Sequence, residues 1–168
     1  TYFFVTNNSE TFKGEKNPLA DVRVREAMSL AIDRDVLCEV IQNGLAVPAT
    51  GMINQFQLGY IAREPIDNLE KAKALLAEAG YADGCTITAT IRKQDEPDTV
   101  QIQSDLAKVG IDLKIDIVDA AVWTSERAAG NVQCLLQGWF PLYADADNNI
   151  YTFFHSDYSP AKSCFYNN

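Results

Sequence analysis

The stretch CTITATIRKQDEPDTVQIQSDLAKVGIDLKIDIV, residues 85–118, decides the fold class. CTITATIR at 85–92 and IDLKIDIV at 111–118 alternate apolar with polar residues, and this period of two predicts β-strands with one buried face. Between them, Pro97 opens a helix of about a dozen residues that ends at Gly110. A strand, a helix and a strand of these lengths form a βαβ unit, so we predict two parallel strands in an α/β domain.

The alternation also predicts how the sheet is covered. A parallel strand with helices on both faces is apolar on both faces, and neither of these strands is. We therefore expect one face of the sheet to be polar or lightly covered, as in a sheet at the margin of a larger body.

Further helices and strands flank this unit in the sequence. Apolar residues at helical spacing predict one helix after Asp21, a shorter one after Asp33, and a third after Asp67, which forms a capping box with Glu70. Residues 45–66, here called the excursion, have no clean period and predict a long surface segment. TYFFVTN (1–7) and VQCLLQGWF (132–140) are typical of strands, whereas 121–129 and 144–155 indicate helices. In the helix opened by Pro97 we expect Val100, Leu106 and Val109 to point inward.

Length and charge exclude several classes of protein. The chain has 168 residues, which suits one domain. Its formal net charge of -9 repels nucleic-acid phosphates and anionic lipid, so we predict no nucleic-acid partner. The chain starts within a strand pattern at Thr1 and ends at SCFYNN with no helix stop, so we expect an excised piece of a longer protein.

No motif for catalysis or metal binding stands out. His155 is the only histidine, and no nucleophile elbow accompanies it. Asp145, Asp147 and Asn148 resemble the opening of a calcium loop, but the glycine and the terminal glutamate of that motif are absent. Capping of the following helix is the simpler explanation for these acidic residues. The four cysteines lack zinc spacing and are either small buried hydrophobes or disulfide partners. We predict no metal, no cofactor and no enzymatic activity.

The end of the last predicted strand is the best candidate for a binding site. Trp139, Phe140 and Tyr143 lie there, and in open α/β sheets ligands bind outside the carboxyl ends of strands. Ordinary core packing is the alternative for these aromatic residues. Arg127, near a helix end, is either an anion clamp or an exposed helix charge.

Five segments together resemble a known family. TYFFVTNN, DVRVREAMSLAIDRDVL, NLEKAKALLAEAGYADG, LAKVGIDLKIDIV and GWFPLYADADN resemble, in order, segments of the extracytoplasmic solute-binding proteins of family 5. These are the peptide, oligopeptide and nickel receptors of ABC importers. The resemblance covers almost the whole chain and implies an α/β, periplasmic-binding-protein-like lobe of type II, cluster C, with a mixed sheet.

The resemblance also implies an organisation and a role. Residues 1–168 would form one domain, most of the C-terminal lobe of a two-lobe receptor, with 1–8 as the interdomain crossing strand and Asn7 at the hinge. The receptor would act as a monomer outside the cytoplasm, in a periplasm or lipid-anchored on the cell surface. It would close on its N-terminal lobe and deliver peptides or small polar solutes to ABC permease subunits. A hydrolase is the weaker alternative from another class.

The family's ligand box, commonly G-W-x-x-D-Y, is matched by Gly138, Trp139 and Tyr143. Leu142 stands where the aspartate pairs with the ammonium group of a peptide, and a leucine cannot hold that charge. Asp145 could substitute, or the solute is not a peptide but a sugar, an opine or a metal chelate. The resemblance implies a ligand wall of Trp139, Phe140, Leu142 and Tyr143, with Arg127 facing a carboxylate. A secreted location makes disulfides plausible, and we expect Cys134 to pair with Cys164.

Overall fold

The computed structural model describes residues 2–63 and 66–158 of the chain. The strands are β1 (Tyr2–Thr6), β2 (Thr11–Phe12), β3 (Glu15–Lys16), β4 (Cys85–Ile91), β5 (Ile111–Ile117) and β6 (Cys134–Gly138). The helices are α1 (Val22–Ala31), α2 (Arg34–Val36), α3 (Leu69–Glu78), α4 (Glu96–Ala107), α5 (Ala120–Ala129) and α6 (Asp147–Phe154). A π-type turn, Leu37–Ile41, continues α2. No helix among the described residues combines the length and the apolar character needed to cross a bilayer.

The βαβ unit lies at one side of a four-stranded sheet with the order β1-β6-β4-β5. β4 and β5 are parallel, from Cys85 opposite Ile111 to Ile91 opposite Ile117, which confirms the predicted pairing. β6 joins β4 in parallel and β1 pairs antiparallel with β6. The sheet is therefore mixed, as expected.

Two glycines allow β4 and β5 to start side by side. Gly84 and Gly110 directly precede the two strands, with φ values of +94° and +89°. A Cβ built on Gly84 would lie 2.4 Å from the carbonyl oxygen of Gly110. A side chain at Gly84 would thus meet both backbone strain and a backbone atom.

One face of the sheet packs against α1, α3 and α4 to form the main core. Along β4 and β5 its strand residues follow the predicted alternation as far as Ile115, whereas Ile117, expected on the same side, is 41% exposed at the end of β5. Its helical residues include Leu76 and Leu106. Val109 is buried there as expected, but Val100 is 49% exposed, so the prediction that it points inward was wrong. Val100 lies on the outer surface of α4, where apolar residues occur singly without consequence.

The other face of the sheet is polar and exposed along β5 but apolar and covered along β1 and β6. Along β5 its residues Asp112, Lys114 and Asp116 are exposed, which confirms the predicted polar face. Along β1 and β6 it carries a small second core, in which Trp123 of α5 packs with residues of β1, β6 and the segment before β6: Val5, Val132 and Leu135, with Phe3 and Val118 at its edge.

Several local predictions need correction. Asn68, not Asp67, caps α3, because the Asn68 side chain accepts the Lys71 N–H. The last helix begins at Asp147 rather than at 144, and β6 is shorter than 132–140. The β2–β3 hairpin was not predicted, because its Lys13–Gly14 turn, with φ values of +50° and +86°, is not one of the common hairpin pairs.

Among the described residues, Cys134 is not part of a disulfide. Cys134 is a free thiol with no exposed surface in the main core, where its Sγ donates to the carbonyl oxygen of Thr88 at 3.4 Å. Cys164 lies outside the described residues. Burial raises the pKa of the Cys134 thiol and raises that of Cys85 to about 11, so both behave as small hydrophobes.

Candidate functional site at the carboxyl end of β6

The aromatic loop, residues 139–146, joins the end of β6 to α6. It follows the carboxyl end of a strand that is parallel to β4, the position predicted for a ligand. Trp139 is partly buried, whereas Phe140 is 76% and Leu142 88% exposed. The loop therefore fixes one large side chain and presents three others, Phe140, Leu142 and the half-exposed Tyr143, to solvent.

Asn148 holds Trp139 in place. Its Oδ1 accepts a hydrogen bond from Trp139 Nε1 at 3.0 Å and a second from the backbone N–H of Leu142 at 3.4 Å. Asn148 is buried in the first turn of α6. One amide oxygen thus sets both the indole orientation and the path of the loop.

Phe153 fixes the other side of the indole. Its ring meets that of Trp139 edge to face, with centroids 5.0 Å apart, and that of Phe3 in the same way at 5.1 Å. Phe3 also packs against the second core. The Trp139 ring is therefore connected to the interior of the domain through two phenylalanine rings.

The excursion is attached to this site by buried amides. Gln57 Nε2 donates to Asn149 Oδ1 and to the Asp145 carbonyl oxygen, each at 3.0 Å, and Asn149 Nδ2 donates to the carbonyl oxygen of Met52. The backbone N–H of Leu58 donates to Ala144 O at 2.9 Å. Residues 52–58 of the excursion thus lie beside the aromatic loop.

Asp145 in the loop and Asp147, the first residue of α6, both make hydrogen bonds where the helix begins. Asp145 Oδ1 accepts the backbone N–H of Asp147 at 2.9 Å, and Asp147 Oδ2 accepts the hydroxyl of Tyr143 at 3.2 Å. No group of acidic, histidine or cysteine side chains suited to a metal ion occurs in the part of the chain that the structure describes. Asp145 remains exposed, so this hydrogen bond leaves the rest of its carboxylate facing solvent.

Arg127 lies on α5 beside the end of β6. Its Nη1 donates to Gln137 Oε1 at 3.3 Å, and its guanidinium carbon is 5.0 Å from the centre of the Trp123 ring. Arg92 also lies over this ring, at 4.6 Å, but its Nε and Nη2 are bonded to Asp95. Burial, and then the charge of Arg92, lower the pKa of Arg127.

The remaining predicted site residues lie elsewhere. Asn7 is buried and donates through Nδ2 to the carbonyl oxygens of Gly130 and Val132, both at 3.3 Å. It therefore sits at the amino end of β6, at the other end of that strand from the aromatic loop. His155 stacks on Tyr151 at 4.3 Å, and its Nδ1 accepts the backbone N–H of Asp157.

Sequence reasoning missed Trp123, Gln137, Asn148, Asn149 and Gln57. The two asparagines were visible in the DADNN stretch, but we attributed that stretch to capping alone. Trp123 and Gln137 carry no local signal, because their importance comes from contacts between elements distant in sequence.

A family model described as bacterial extracellular solute-binding proteins, family 5 Middle, matches residues 1–160. The dipeptide-binding protein of Escherichia coli (strain K12) is 31% identical over 153 residues, 86% of this chain and 29% of that protein. The chain thus spans about a third of the length of this relative.

Two solved structures show the same fold. The periplasmic binding protein DppA from Helicobacter pylori, in complex with the peptide STSA, gives a TM-score of 0.83 at 30% identity over 98% of this chain and 32% of that chain. The PBP AgaA from A. tumefacien R10, in complex with agropinic acid, gives 0.84 at 28% identity over 99% and 35%.

Proposed function

Because the chain belongs to the bacterial extracellular solute-binding proteins of family 5, we propose that it forms most of the C-terminal lobe of a two-lobe receptor. In this proposal the aromatic loop is one wall of the ligand cleft, and the N-terminal lobe supplies the other. β1 is the crossing strand, and it enters the lobe at Tyr2, opposite Gly138 and next to the loop. Two lobes that close as a hinge bury the solute between them.

The observation that carries this proposal is the contrast within the aromatic loop. Trp139 is fixed by Asn148 and Phe153, whereas Phe140 and Leu142 expose apolar surface beside it. A folded domain gains nothing by exposing such side chains, and contiguous exposed apolar surface marks binding sites.

The proposed solute is a peptide or a peptide-like molecule, which a monomeric receptor outside the cytoplasm passes to ABC permease subunits. A relative named for dipeptide binding and a neighbour solved with a peptide support this class. The proposed role is binding without catalysis.

Calorimetric titration of the receptor polypeptide that contains this lobe tests the proposal. We expect saturable binding of short peptides, and Trp139→Ala should weaken it by about thirtyfold or more, since a central buried aromatic residue contributes ~2 kcal/mol or more. Val22→Ala, a change at an exposed apolar residue of α1, is the matched control and should leave affinity unchanged. Saturable binding of neither peptides nor small polar solutes would contradict the proposal.

Leu142 supports a second candidate, a receptor for a solute without a free α-amine, such as an opine. Leu142 is 88% exposed where the family's aspartate would meet an ammonium group, and a neighbour was solved with agropinic acid. Leu142→Asp should then create affinity for free-amine peptides. Tight binding of such peptides by the unchanged receptor would exclude this candidate.

A further inference from the structure

A cavity of about 480 Å³ lies between the β2–β3 hairpin and the polar face of the sheet, and is here called the hairpin cavity. Its lining includes Lys13, Lys16, Thr86, Thr88, Thr90 and Asp116. The cavity has room because β6 begins at Cys134, opposite Ala89, so that residues 85–88 of β4 have no neighbour in β6. Its volume falls within the range of small-molecule sites, about 300–1,000 Å³.

Buried amides hold the hairpin over this gap. Gln133 Oε1 accepts the backbone N–H of Thr88 at 2.8 Å, and its Nε2 donates to Asn17 Oδ1 at 3.1 Å. Asn17 directly follows β3, and its Nδ2 donates to the carbonyl oxygens of Asn7 at 2.7 Å and Ser9 at 2.9 Å. Both side chains are buried. The base of the hairpin is therefore tied to the sheet, and the cavity is formed before any ligand arrives.

The floor of the hairpin cavity is a row of hydroxyl groups. Thr86, Thr88 and Thr90 alternate along β4 with residues of the main core, so their side chains lie on the opposite face, about 6.5–7 Å apart. Within the described residues none of these three hydroxyls makes a hydrogen bond. Each free hydroxyl can donate and also accept. An apolar ligand would bury these hydroxyls without compensation, which is unfavourable.

The rim of the cavity carries balanced charges. The ammonium groups of Lys13 and Lys16 lie over aromatic rings of the lining, at 5.4 and 5.3 Å. Glu15 and Asp116 also line the cavity, and none of these four charges forms an ion pair in the described part of the chain. Two positive and two negative charges favour neither an anion nor a cation. Lys13 has a φ of +50°, a strained value of the kind that clusters at functional sites.

We propose that the hairpin cavity binds a neutral saccharide, a ligand whose hydroxyls both donate and accept. Thr86 and Thr88 bond the sugar hydroxyls from the floor, while Lys16 donates and Asp116 accepts at the rim. This inference goes beyond the proposed function and does not depend on it. The cavity reaches the amino end of β4, and among the described residues no part of the aromatic loop lines it.

Titration of maltose into the ¹⁵N-labelled 168-residue chain tests the proposal. We expect saturable shifts of the backbone amides of Thr86, Thr88 and Lys16. The indole N–H of Trp139, which donates to Asn148 in the aromatic loop, should not move. The absence of saturable shifts would overturn the proposal. Shifts confined to the aromatic loop would also overturn it, because they would make the sugar a solute of the cleft.

Threonine variants separate the floor from non-specific binding. Thr86→Val and Thr88→Val each remove one hydroxyl, keep the side-chain shape, and should weaken maltose binding about threefold to tenfold. Thr124→Val makes the same change on α5, away from the cavity, and should leave the affinity unchanged. An equal loss in the control, or no loss in either floor variant, would contradict the proposal. The ¹⁵N spectra report folding, and the exposed Thr86 gives a test that does not depend on Thr88.

A comparison of charged and neutral sugars tests the class of ligand. Glucose should bind at least as tightly as glucuronate and glucosamine, because the rim charges cancel. A tenfold preference for either charged sugar would reject a neutral saccharide as the ligand. The proposed function and this inference fail separately, since maltose binding is observed at Thr86 and peptide binding is tested at Trp139.

Discussion

The main core and the aromatic loop use the same kind of residue in opposite ways. Leu106 has no exposed surface, whereas Leu142 is almost fully exposed. The core is held together by apolar packing, and the loop by the amides of Asn148, Asn149 and Gln57. Apolar composition alone therefore does not define the interior. The hydrogen bonds of these amides determine which apolar side chains of the loop stay exposed and available for binding.

Replacing one leucine by alanine in the main core and one in the aromatic loop tests this difference most directly. Leu106→Ala should lower the free energy of unfolding by about 2–5 kcal/mol, because it leaves a cavity in the main core. Leu142→Ala, the matched control, should change it by less than about 0.5 kcal/mol. Urea unfolding of both variants measures this, and equal losses would show that the loop is part of the core.

Asn149 tests whether the excursion depends on the amide network. Asn149→Ala leaves Gln57 Nε2 and Met52 O without this partner and should cost about 1–3 kcal/mol. Hydrogen exchange should accelerate in residues 52–58 and stay slow in β4. The same change at exposed Asn131 is the control, and uniform acceleration throughout the chain would contradict a local role.

The hydrogen bond from Trp139 Nε1 to Asn148 Oδ1 can be tested on its own. Asn148→Leu removes the acceptor of Trp139 Nε1 and should cost about 1 kcal/mol, with a shift in the emission of Trp139. Asn148→Asp keeps an oxygen at the same position and should retain the wild-type emission. Trp123→Phe in all three proteins isolates the Trp139 signal, and identical spectra would exclude the positioning role.

The smallest effect concerns a charge at the margin of the main core. Hydrogen bonds from the Arg23 side chain and backbone hold the pKa of Asp21 at about 2, below its ordinary value of 3.8. A lowered pKa stabilises the fold above 3.8, and this contribution is lost as the pH falls through 2. Asp21→Asn keeps the cap of α1 and should flatten that part of the stability–pH curve. Unchanged curves between pH 5 and 2 would contradict this.

The sequence predicted the elements whose periodicity is strong. The alternation in β4 and β5 predicted their buried residues except at Ile117, which is exposed at the end of β5. The helix between the two strands predicted their parallel pairing. The helix ends were less predictable: Asn68 and Asp67 are adjacent and equally good caps, and only the folded backbone selects Asn68.

The candidate site was predicted in part. The aromatic loop was found because its residues are contiguous and follow a strand. Arg127 was named from the sequence, whereas its contacts with Trp123 and Gln137 were not predicted, because Gln137 lies on a different element.

The position of β1 at the edge of the sheet has a consequence for the order of folding. Residues 2–6 pair with residues 134–138, whereas β4, α4 and β5 find their partners within a single short stretch of chain. Closing a long loop costs entropy before any contact compensates for it, so the local βαβ unit is expected to form early and the β1–β6 pair late. During ribosomal synthesis, β1 is therefore made long before its partner β6 is available.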